Sequence, residues 1–251
     1  MGLFSKKKHH TAGQVDENRL PRHIAVIMDG NGRWAKRRGL PRTAGHKVGA
    51  EVFRKIATYC KELGVEYLTG YAFSTENWKR PADEVNTIMG LLKQYMLEAI
   101  DSMERDQIRL RFLGDLSALP PELQELARRT NEISSHIQGF QANVCLNYGG
   151  RDEILRAARA FARDCADGKA SPEALTEEGF GHYLYSDGIP DPDLIIRPSG
   201  ELRLSNFLLW QCAYAEFYFC DTLWPDFDER ALDAAIIDYQ KRDRRFGGVK
   251  A

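Results

Sequence analysis

The stretch from His23 to Gly39 holds the densest group of residues that could do chemistry. An apolar run, Ile24 to Met28, is followed at once by Asp29-Gly30-Asn31-Gly32 and then by Arg33-Trp34. Such a run is typical of a strand buried on both faces, and the residues after it would open a helix. Glycines that let a ligand approach the backbone, followed by the free N–H groups of a helix N-terminus, predict a diphosphate site. A plain tight turn is the alternative interpretation of this stretch taken alone.

Asp29 places a carboxylate at this predicted anion site. A carboxylate would repel a diphosphate unless a cation lay between them. Mg²⁺ usually binds through one or two carboxylates together with phosphate oxygens of a substrate. We therefore predict that Asp29 is a magnesium ligand, and we expect Asp29→Ala to abolish activity and to leave the fold intact.

Two further polar clusters follow predicted strands. The strand predicted at 65–72 leads into Phe73-Ser74-Thr75-Glu76-Asn77-Trp78-Lys79-Arg80-Pro81, and the strand predicted at 194–197 leads into a segment, 198–206, that is rich in bases and hydroxyls. Ligands of open α/β sheets bind at the carboxyl ends of the strands, so these clusters should face one cleft. Arg42 and His46 lie within one or two helical turns of the first cluster. Glu216 stands alone in an aromatic run, where a carboxylate needs a partner.

The elements that would position these clusters alternate along the chain. Strands are predicted at 24–28, 65–72, 108–113, 141–147, 194–197 and 217–219, and helices at 51–63, 83–105, 121–137, 152–165 and 228–242. Alternation of this kind predicts an α/β fold with a largely parallel central sheet flanked by helices. The helix predicted at 83–105 carries apolar residues at helical spacing, which indicates a buried stripe.

Composition agrees with one folded domain. The 251 residues are 43% hydrophobic, which is enough for one sizeable core, and the formal net charge of −1 argues against a nucleic-acid binder. The five cysteines form no CxxC pair, which favours free thiols in a reducing cytoplasm. We find neither a P-loop nor an apolar run of about 18 residues that could span a membrane.

Residues 1–20 are mostly polar and lack sustained hydrophobic periodicity, so they are predicted to form a flexible tail, with the catalytic domain at 21–251. Leu3 and Phe4 stand beside three lysines, Lys6 to Lys8. This combination would suit peripheral contact with an anionic membrane surface. A solvated leader is the alternative interpretation, because so few apolar side chains give only marginal anchoring.

Taken together, the motifs resemble those of the cis-prenyltransferases, typified by undecaprenyl diphosphate synthase. The resemblance covers nearly everything after residue 20. It is carried by HIAVIMDGNGRWA, by RTAGH at 42–46, by YAFSTENWKRP, by LNYGGR at 146–151, by IIRPSGELRLSNFLLWQ and by LWPDFDE near the C-terminus. Two departures are Pro198, where threonine is common in the family, and Leu202, where some relatives carry histidine. Neither departure removes an arginine or a carboxylate.

The resemblance implies an enzyme that condenses isopentenyl diphosphate with an allylic diphosphate, with Mg²⁺ held by Asp29 and Glu216. It implies that Asn77 lies near the reacting carbons as a proton acceptor or relay. An amide is a poor base, so the departing pyrophosphate is an alternative acceptor. The family also implies a homodimer, and a hydrophobic tunnel between helix and sheet for the growing chain, with Phe140 near its far end.

The substrate-binding residues implied by the resemblance fall into three groups along the chain. The allylic diphosphate would bind at the first cluster, helped by Arg42 and His46. The isopentenyl diphosphate would bind at the last cluster. The aromatic side chains of Trp34, Phe73 and Trp78 would shape the apolar part of the pocket. The full set is Gly30, Asn31, Gly32, Arg33, Trp34, Arg42, His46, Ser74, Thr75, Glu76, Trp78, Arg80, Arg197, Arg203, Leu204 and Ser205.

Three activities remain open at this point. The motif set favours undecaprenyl diphosphate made from farnesyl diphosphate, which would serve as a cell-wall carrier lipid. A short-chain cis-prenyl diphosphate synthase is the second, because one bulky side chain in the tunnel could limit product length. A non-catalytic, membrane-recruiting subunit of a prenyltransferase complex is the third, although such relatives look degraded at the aspartate turn or the late arginine motif, and both are intact here.

Overall fold

Six strands form one sheet in which every pairing is parallel, in the computed structural model, which describes residues 15–243. The strands are β1 His23–Ile27, β2 Tyr67–Ser74, β3 Arg109–Leu113, β4 Gln141–Tyr148, β5 Leu194–Arg197 and β6 Glu216–Phe219. The helices are α1 Asn31–Arg37, α2 Arg42–Leu63, α3 Ala82–Asp106, α4 Pro121–Ser134, α5 Gly150–Ala166, α6 Glu177–Gly181 and α7 Glu229–Gln240. The predicted fold class, a single α/β domain around a parallel sheet, is confirmed.

The order of the strands, β3-β4-β2-β1-β5-β6, places the reversal of the winding beside β1. The chain moves from β1 to β2 on one side, and later returns to add β5 on the other side of β1. In open parallel sheets the crevice at such a reversal, outside the carboxyl ends of the strands, is the common place for a ligand. The segments after β1 and β5 therefore meet at this crevice.

Alternate residues of β1 face opposite layers of the core. Ile24 and Val26 belong to the core beneath α2 and α7, and Ala25 and Ile27 belong to a separate core around Phe207. All five residues of the strand are buried. This burial on both faces is why the sequence shows an uninterrupted apolar run instead of an alternating one.

Helix α2 starts nine residues earlier than the sequence predicted, directly after Pro41. Gly45 and Gly49 occupy its first half, and glycine there weakened the helical prediction. Helix α1 packs against this half of α2 so closely that a β-carbon on Gly45 would lie 2.0 Å from the carbonyl oxygen of Asn31. These glycines serve the contact between two helices, which is why the helix keeps them.

Residues 15–20, which the sequence assigned to the tail, belong to the folded unit. Val15 is buried in the main core, and residues Glu17–Arg19 form a short 3-10 helix. The side-chain amide of Gln240 donates to the carbonyl oxygens of Asp16 and Arg19. Residues 1–14, including the apolar and lysine residues proposed for membrane contact, lie outside the described residues. No helix within residues 15–243 is long and apolar enough to cross a membrane.

Candidate active site

The three polar clusters line one cavity of about 620 Å³ at the carboxyl edge of the sheet. Strands β1, β2 and β5 each end there, and helices α2 and α3 form the opposite wall. Ten of the predicted site residues line this cavity: Asp29, Asn31, His46, Ser74, Glu76, Asn77, Arg80, Arg197, Arg203 and Ser205. The expectation that successive strand ends face one cleft therefore agrees with the geometry.

Asp29 and Arg197 form the centre of the cavity's polar wall. The guanidinium of Arg197 donates from Nη2 to Asp29 Oδ2 at 3.0 Å, and from Nη1 to Ser205 Oγ at 2.7 Å and to the carbonyl oxygen of Arg203. Its side chain is only 4% exposed, whereas that of Asp29 is 31% exposed. A buried guanidinium needs a counter-charge, and Asp29 supplies it at the crevice beside β1.

Burial of the Asp29 carboxyl raises its pKa, but the surrounding donors reverse this effect. The hydrogen bond from Arg197 is the largest opposing contribution, followed by the backbone N–H of Gly30 at 2.6 Å from Oδ1 and by the charges of Arg197 and Arg33. The net result is a pKa below the usual value, so the group is a carboxylate at neutral pH. A stable negative charge at this position is what a divalent cation requires.

The turn after Asp29 brings its backbone close to the side chain of Leu223. Gly30 has a φ of +98°, and a β-carbon there would lie 2.9 Å from the side chain of Leu223. Within the described chain, no side chain caps the first turn of α1. Asn31 Oδ1 is buried without a hydrogen-bond partner in the described chain, and so is Arg197 Nε. Asn31 Oδ1 faces Gly49 of α2, whereas Arg197 Nε is a donor for which a phosphate oxygen would be a suitable partner.

The LWPDFDE motif closes the cavity beneath Asp29. The backbone N–H of Trp224 donates to the carbonyl oxygen of Asp29 at 3.0 Å, and its indole N–H donates to the carbonyl oxygen of Gly49 at 2.7 Å. Trp224 is completely buried and lines the cavity. The motif was recognised from the sequence, but its function as a brace between β1 and α2 was not.

Arg33 and Arg203 lie at the outer edge of the same wall. Arg33 donates to the carbonyl oxygen of Ser199 at 2.9 Å and to its hydroxyl at 2.6 Å. Glu201 lies between the two arginines, with Oε1 3.4 Å from Arg33 Nη2 and Oε2 paired with Arg203 Nη1. The two segments that follow β1 and β5 are thus joined by charge, and both guanidinium groups stay partly exposed to a ligand.

Glu84, in the first turn of α3, is a site residue that the sequence analysis missed. Its carboxylate is only 10% exposed and contacts Arg80 Nη1 at 2.9 Å and Arg42 Nε at 3.2 Å. His46 Nε2 lies 3.5 Å from Glu84 Oε1, too far for a good hydrogen bond. The sequence signal was the spacing of Arg80 and Glu84, four residues apart at the start of a predicted helix.

The segment after β2 is fixed by local hydrogen bonds. Ser74 and Asn77 form a reciprocal capping box around the 3-10 helix Thr75–Lys79, with Asn77 Oδ1 accepting from the Ser74 backbone N–H at 3.2 Å. Glu76 accepts from the side-chain amide of Asn206 at 3.0 Å, which links this segment to the one after β5. Asn77 is therefore oriented in the cavity wall by Ser74.

Two tryptophans predicted to shape the pocket do not line the cavity. The indole N–H of Trp34 donates to Asp226 at 2.7 Å, and Arg38 stacks on its ring with Cζ 4.2 Å from the centroid. The indole N–H of Trp78 donates to Asn147 at 2.7 Å, and its ring packs edge to face on Phe73. Their hydrogen bonds turn both rings away from the lining, and of the three predicted aromatic residues only Phe73 forms part of the wall.

The remaining predicted residues lie around the cavity without lining it. Gly30, Gly32 and Arg33 form the turn and first residues beside it, and Arg42 lies over Gly32, whose β-carbon would be 3.0 Å from the guanidinium carbon. A β-carbon on Gly149 would meet the Thr75 hydroxyl at 2.8 Å, so Thr75 packs behind the wall. Leu204 packs against the core around Phe207.

Within one chain, Glu216 does not join Asp29 in a metal site. Glu216 begins β6 and pairs with Leu194, which pairs with Ile24, so it lies at the amino end of the sheet. Asp29 follows the carboxyl end of β1. Arg242 supplies the partner that the Glu216 carboxylate needs, at 2.7 Å. Among the described residues no group of three or more histidine, cysteine, aspartate or glutamate side chains could hold a metal ion.

An apolar cavity of about 220 Å³ continues from the polar one, between α2, α3 and the sheet. Met28, Ala50, Ala72, Leu92 and Tyr95 line both cavities. Deeper walls come from apolar side chains, including Met96, Met103, Leu110, Phe112, Ala142 and Val144. This is the predicted hydrophobic tunnel. Phe140, predicted near its far end, does not line the cavity, but it belongs to the same buried cluster as Ala142, which does.

This combination of an arginine-rich mouth with an apolar interior defines a class of α/β proteins that bind molecules with an anionic head and a long apolar body. Comparisons with known proteins agree. Residues 27–247 match a prenyltransferase family model described as "Putative undecaprenyl diphosphate synthase". An isoprenyl transferase of Clostridium perfringens is 50% identical over all of both chains, and one of Heliobacterium mobile is 52% identical over 94% of this chain and 91% of its own.

Two solved structures give the same result. Lavandulyl diphosphate synthase from Lavandula x intermedia, in complex with dimethylallyl diphosphate, has a TM-score of 0.88 and 35% identity over 92% of this chain and 99% of its own. A probable undecaprenyl diphosphate synthase from Campylobacter jejuni has a TM-score of 0.74 and 37% identity over 90% and 98%. The chain belongs to the undecaprenyl diphosphate synthase family and is a cis-prenyltransferase, which confirms the resemblance of its motifs.

Proposed function

We propose that this enzyme condenses isopentenyl diphosphate units onto an allylic diphosphate, farnesyl diphosphate being the expected primer, to give undecaprenyl diphosphate. The observation that carries the proposal is the continuity of the two cavities, because a charged mouth joined to an apolar interior suits a diphosphate with a growing hydrocarbon chain. The solved structure that holds dimethylallyl diphosphate supports an allylic diphosphate as one substrate.

Asp29 fits the proposed requirement for Mg²⁺. Its carboxylate lines the mouth, remains 31% exposed and is held in the charged form. With a single carboxylate from this chain, phosphate oxygens and water would complete the oxygen ligands that Mg²⁺ prefers. A magnesium ion bound there would supply positive charge that stabilises the departing pyrophosphate. Because Glu216 lies at the amino end of the sheet, it would not be a ligand of this magnesium ion within one chain.

Two groups of arginines are proposed to bind the two diphosphates. Arg42 and Arg80, joined through Glu84, would bind the allylic diphosphate together with Arg33 and the backbone of the turn at 30–32. Arg197, Arg203 and Ser205, at the carboxyl end of β5 and in the segment after it, would bind isopentenyl diphosphate. Arginine suits both sites because its planar guanidinium donates two parallel hydrogen bonds to phosphate oxygens.

The chemistry requires that the C–O bond of the allylic diphosphate breaks while the double bond of isopentenyl diphosphate attacks. The chain's own contribution is to hold both diphosphates and to exclude water from the apolar cavity. Asn77 is proposed to lie beside the carbon that loses its proton. Its amide oxygen already accepts from Ser74 and an amide is a weak base, so departing pyrophosphate is the favoured proton acceptor.

A homodimer in the cytoplasm, with peripheral contact to a membrane surface, is proposed for the enzyme. In the described chain β6 pairs on one side only, with β5, and Phe219 and Tyr214 expose aromatic surface at this edge. Exposed apolar groups beside a free strand edge favour association with a second copy. Sedimentation of the full chain across a concentration series measures this association directly.

Product analysis tests the proposed reaction. Purified full-length protein is incubated with Mg²⁺, radiolabelled isopentenyl diphosphate and farnesyl diphosphate, beside a sample containing a chelator. Long polyprenyl diphosphates that disappear on chelation are the expected result, and their length distinguishes undecaprenyl diphosphate from a short-chain product. No product with any primer, in the presence of detergent, would favour the non-catalytic subunit.

A further inference from the structure

Glu84 is the one carboxylate in the described chain that contacts both Arg42 and Arg80. The two arginines come from different elements, the first residue of α2 and the segment before α3, and their positions relative to each other depend on contacts between these elements. Glu84 uses one carboxylate oxygen for each of them, Oε2 for Arg42 and Oε1 for Arg80. A single buried group thus fixes the spacing of two guanidinium groups.

Glu84 contacts only one nitrogen of each guanidinium, so the other nitrogens of Arg42 and Arg80 can still donate to a phosphate. Arg42 contacts Glu84 through Nε, and Arg80 contacts it through Nη1. The Arg42 side chain is 63% exposed, so without Glu84 it would have little to hold it near the cavity mouth. Two guanidinium groups brought together also repel each other, and the carboxylate between them offsets this repulsion.

We propose that Glu84 is a positioning residue that holds Arg42 and Arg80 in the arrangement needed to bind the allylic diphosphate. This inference rests on the proposed function of the mouth as a diphosphate site. Glu84 contacts Arg42 and Arg80 and has no contact with Arg197 or Ser205. Its effect is therefore confined to the allylic diphosphate. Loss of its charge weakens binding of the allylic diphosphate and leaves isopentenyl diphosphate binding unchanged.

The chain offers a matched control for a purely structural effect. Arg54 on α2 and Glu98 on α3 form an ion pair across the same two helices, away from the mouth, although Arg54 lines the apolar cavity. Glu98→Gln removes an α2–α3 ion pair of the same chemistry as Glu84→Gln, so any general loosening of the two helices occurs in both variants. Only Glu84→Gln removes the counter-charge from arginines at the mouth.

The experiment measures binding and kinetics on the full chain. Inorganic pyrophosphate with Mg²⁺ is titrated into the wild type, Glu84→Gln and Glu98→Gln by calorimetry, and steady-state kinetics are recorded with each substrate varied in turn. For Glu84→Gln we expect the KM for the allylic diphosphate to rise about tenfold or more, as for a lost charged hydrogen bond, with the KM for isopentenyl diphosphate changed less than about twofold. Pyrophosphate affinity should fall in parallel, and Glu98→Gln should match the wild type in pyrophosphate affinity, because pyrophosphate has no chain to enter the apolar cavity that Arg54 lines.

Two results would overturn the inference. Equal rises in both KM values, or the same loss in Glu84→Gln and Glu98→Gln, would assign Glu84 a structural role only. Unchanged pyrophosphate binding and kinetics in a folded Glu84→Gln would show that the arginines need no such positioning. Failure of the proposed function gives a different pattern, because the wild type itself would then neither bind pyrophosphate nor form product.

Discussion

Replacing Asp29 with asparagine tests the centre of the site, because it removes one charge and almost no volume. Asp29 accepts from Arg197 at 3.0 Å and from the Gly30 N–H at 2.6 Å, and Arg33 lies 3.5 Å away. The amide oxygen of asparagine can keep one of these hydrogen bonds. The Arg197 guanidinium, at 4% exposure, would keep its charge and lose its counter-charge.

The magnitude follows from this geometry. A hydrogen bond between charged groups contributes about 1.5–3 kcal/mol, and partial access of water to Asp29 places the expected loss near the lower end, at about 1.5–2 kcal/mol. For a chain of this length that corresponds to a fall in Tm of roughly 3–8 °C. Activity should be lost entirely, because the proposed magnesium ligand is gone. From the sequence alone we predict the loss of activity but not the loss of stability.

Urea unfolding of the wild type and Asp29→Asn, followed by circular dichroism, measures the stability difference. Because the pKa of Asp29 in the folded protein lies below the usual 3.8, its stabilisation is complete above that pH and is lost as the pH falls through the lower, folded-state value. The two proteins should therefore converge in acid. Equal unfolding free energies at pH 7 would refute the ion-pair reasoning, and full activity would refute the metal assignment.

Three further predictions concern burial and packing. Burial lowers the pKa of His23 to about 4, so the free energy of unfolding should fall by roughly 3 kcal/mol as pH drops from 6.5 to 4, and His23→Gln should flatten this dependence in urea titrations. Gly45→Ala should destabilise by about 2 kcal/mol or more because its β-carbon meets the Asn31 carbonyl oxygen, whereas Gly90→Ala, with open space around it, should stabilise by up to about 1 kcal/mol; thermal unfolding compares the two. Ala142→Leu should fill the apolar cavity and shorten the product, as read by thin-layer chromatography, and an unchanged chain length would place the growing chain elsewhere.

Much of the site was predictable because it depends on local rules. The apolar run of β1 identifies a strand buried on both faces, and in a parallel sheet the residues after such strands meet at one edge. Asp29, Asn77 and Arg197 therefore converge whichever helices cover the sheet. The turn at Gly30 is also local, since its φ of +98° is a backbone conformation that glycine adopts readily.

Other features were decided by how the elements pack. Glu84 became a site residue only when α2 brought Arg42 to the first turn of α3, a contact between residues 42 apart in sequence. Packing also decided the position of Glu216, but it placed this residue away from the site. Its aromatic surroundings indicated a carboxylate in need of a partner, and the register of β6 against β5 places it at the opposite end of the sheet from Asp29, where Arg242 pairs with it.

The sequence by itself determined the strands, their buried faces, the edge at which the polar groups gather and the family to which the chain belongs. Tertiary structure alone decided which charges pair, which aromatic rings reach the cavity and which apolar side chains line the tunnel. The physical reason is that strand and turn formation depend on neighbours along the chain. The partner of a long side chain such as Trp34 or Trp78 depends on which distant donor or acceptor the packing of other elements brings within about 3 Å.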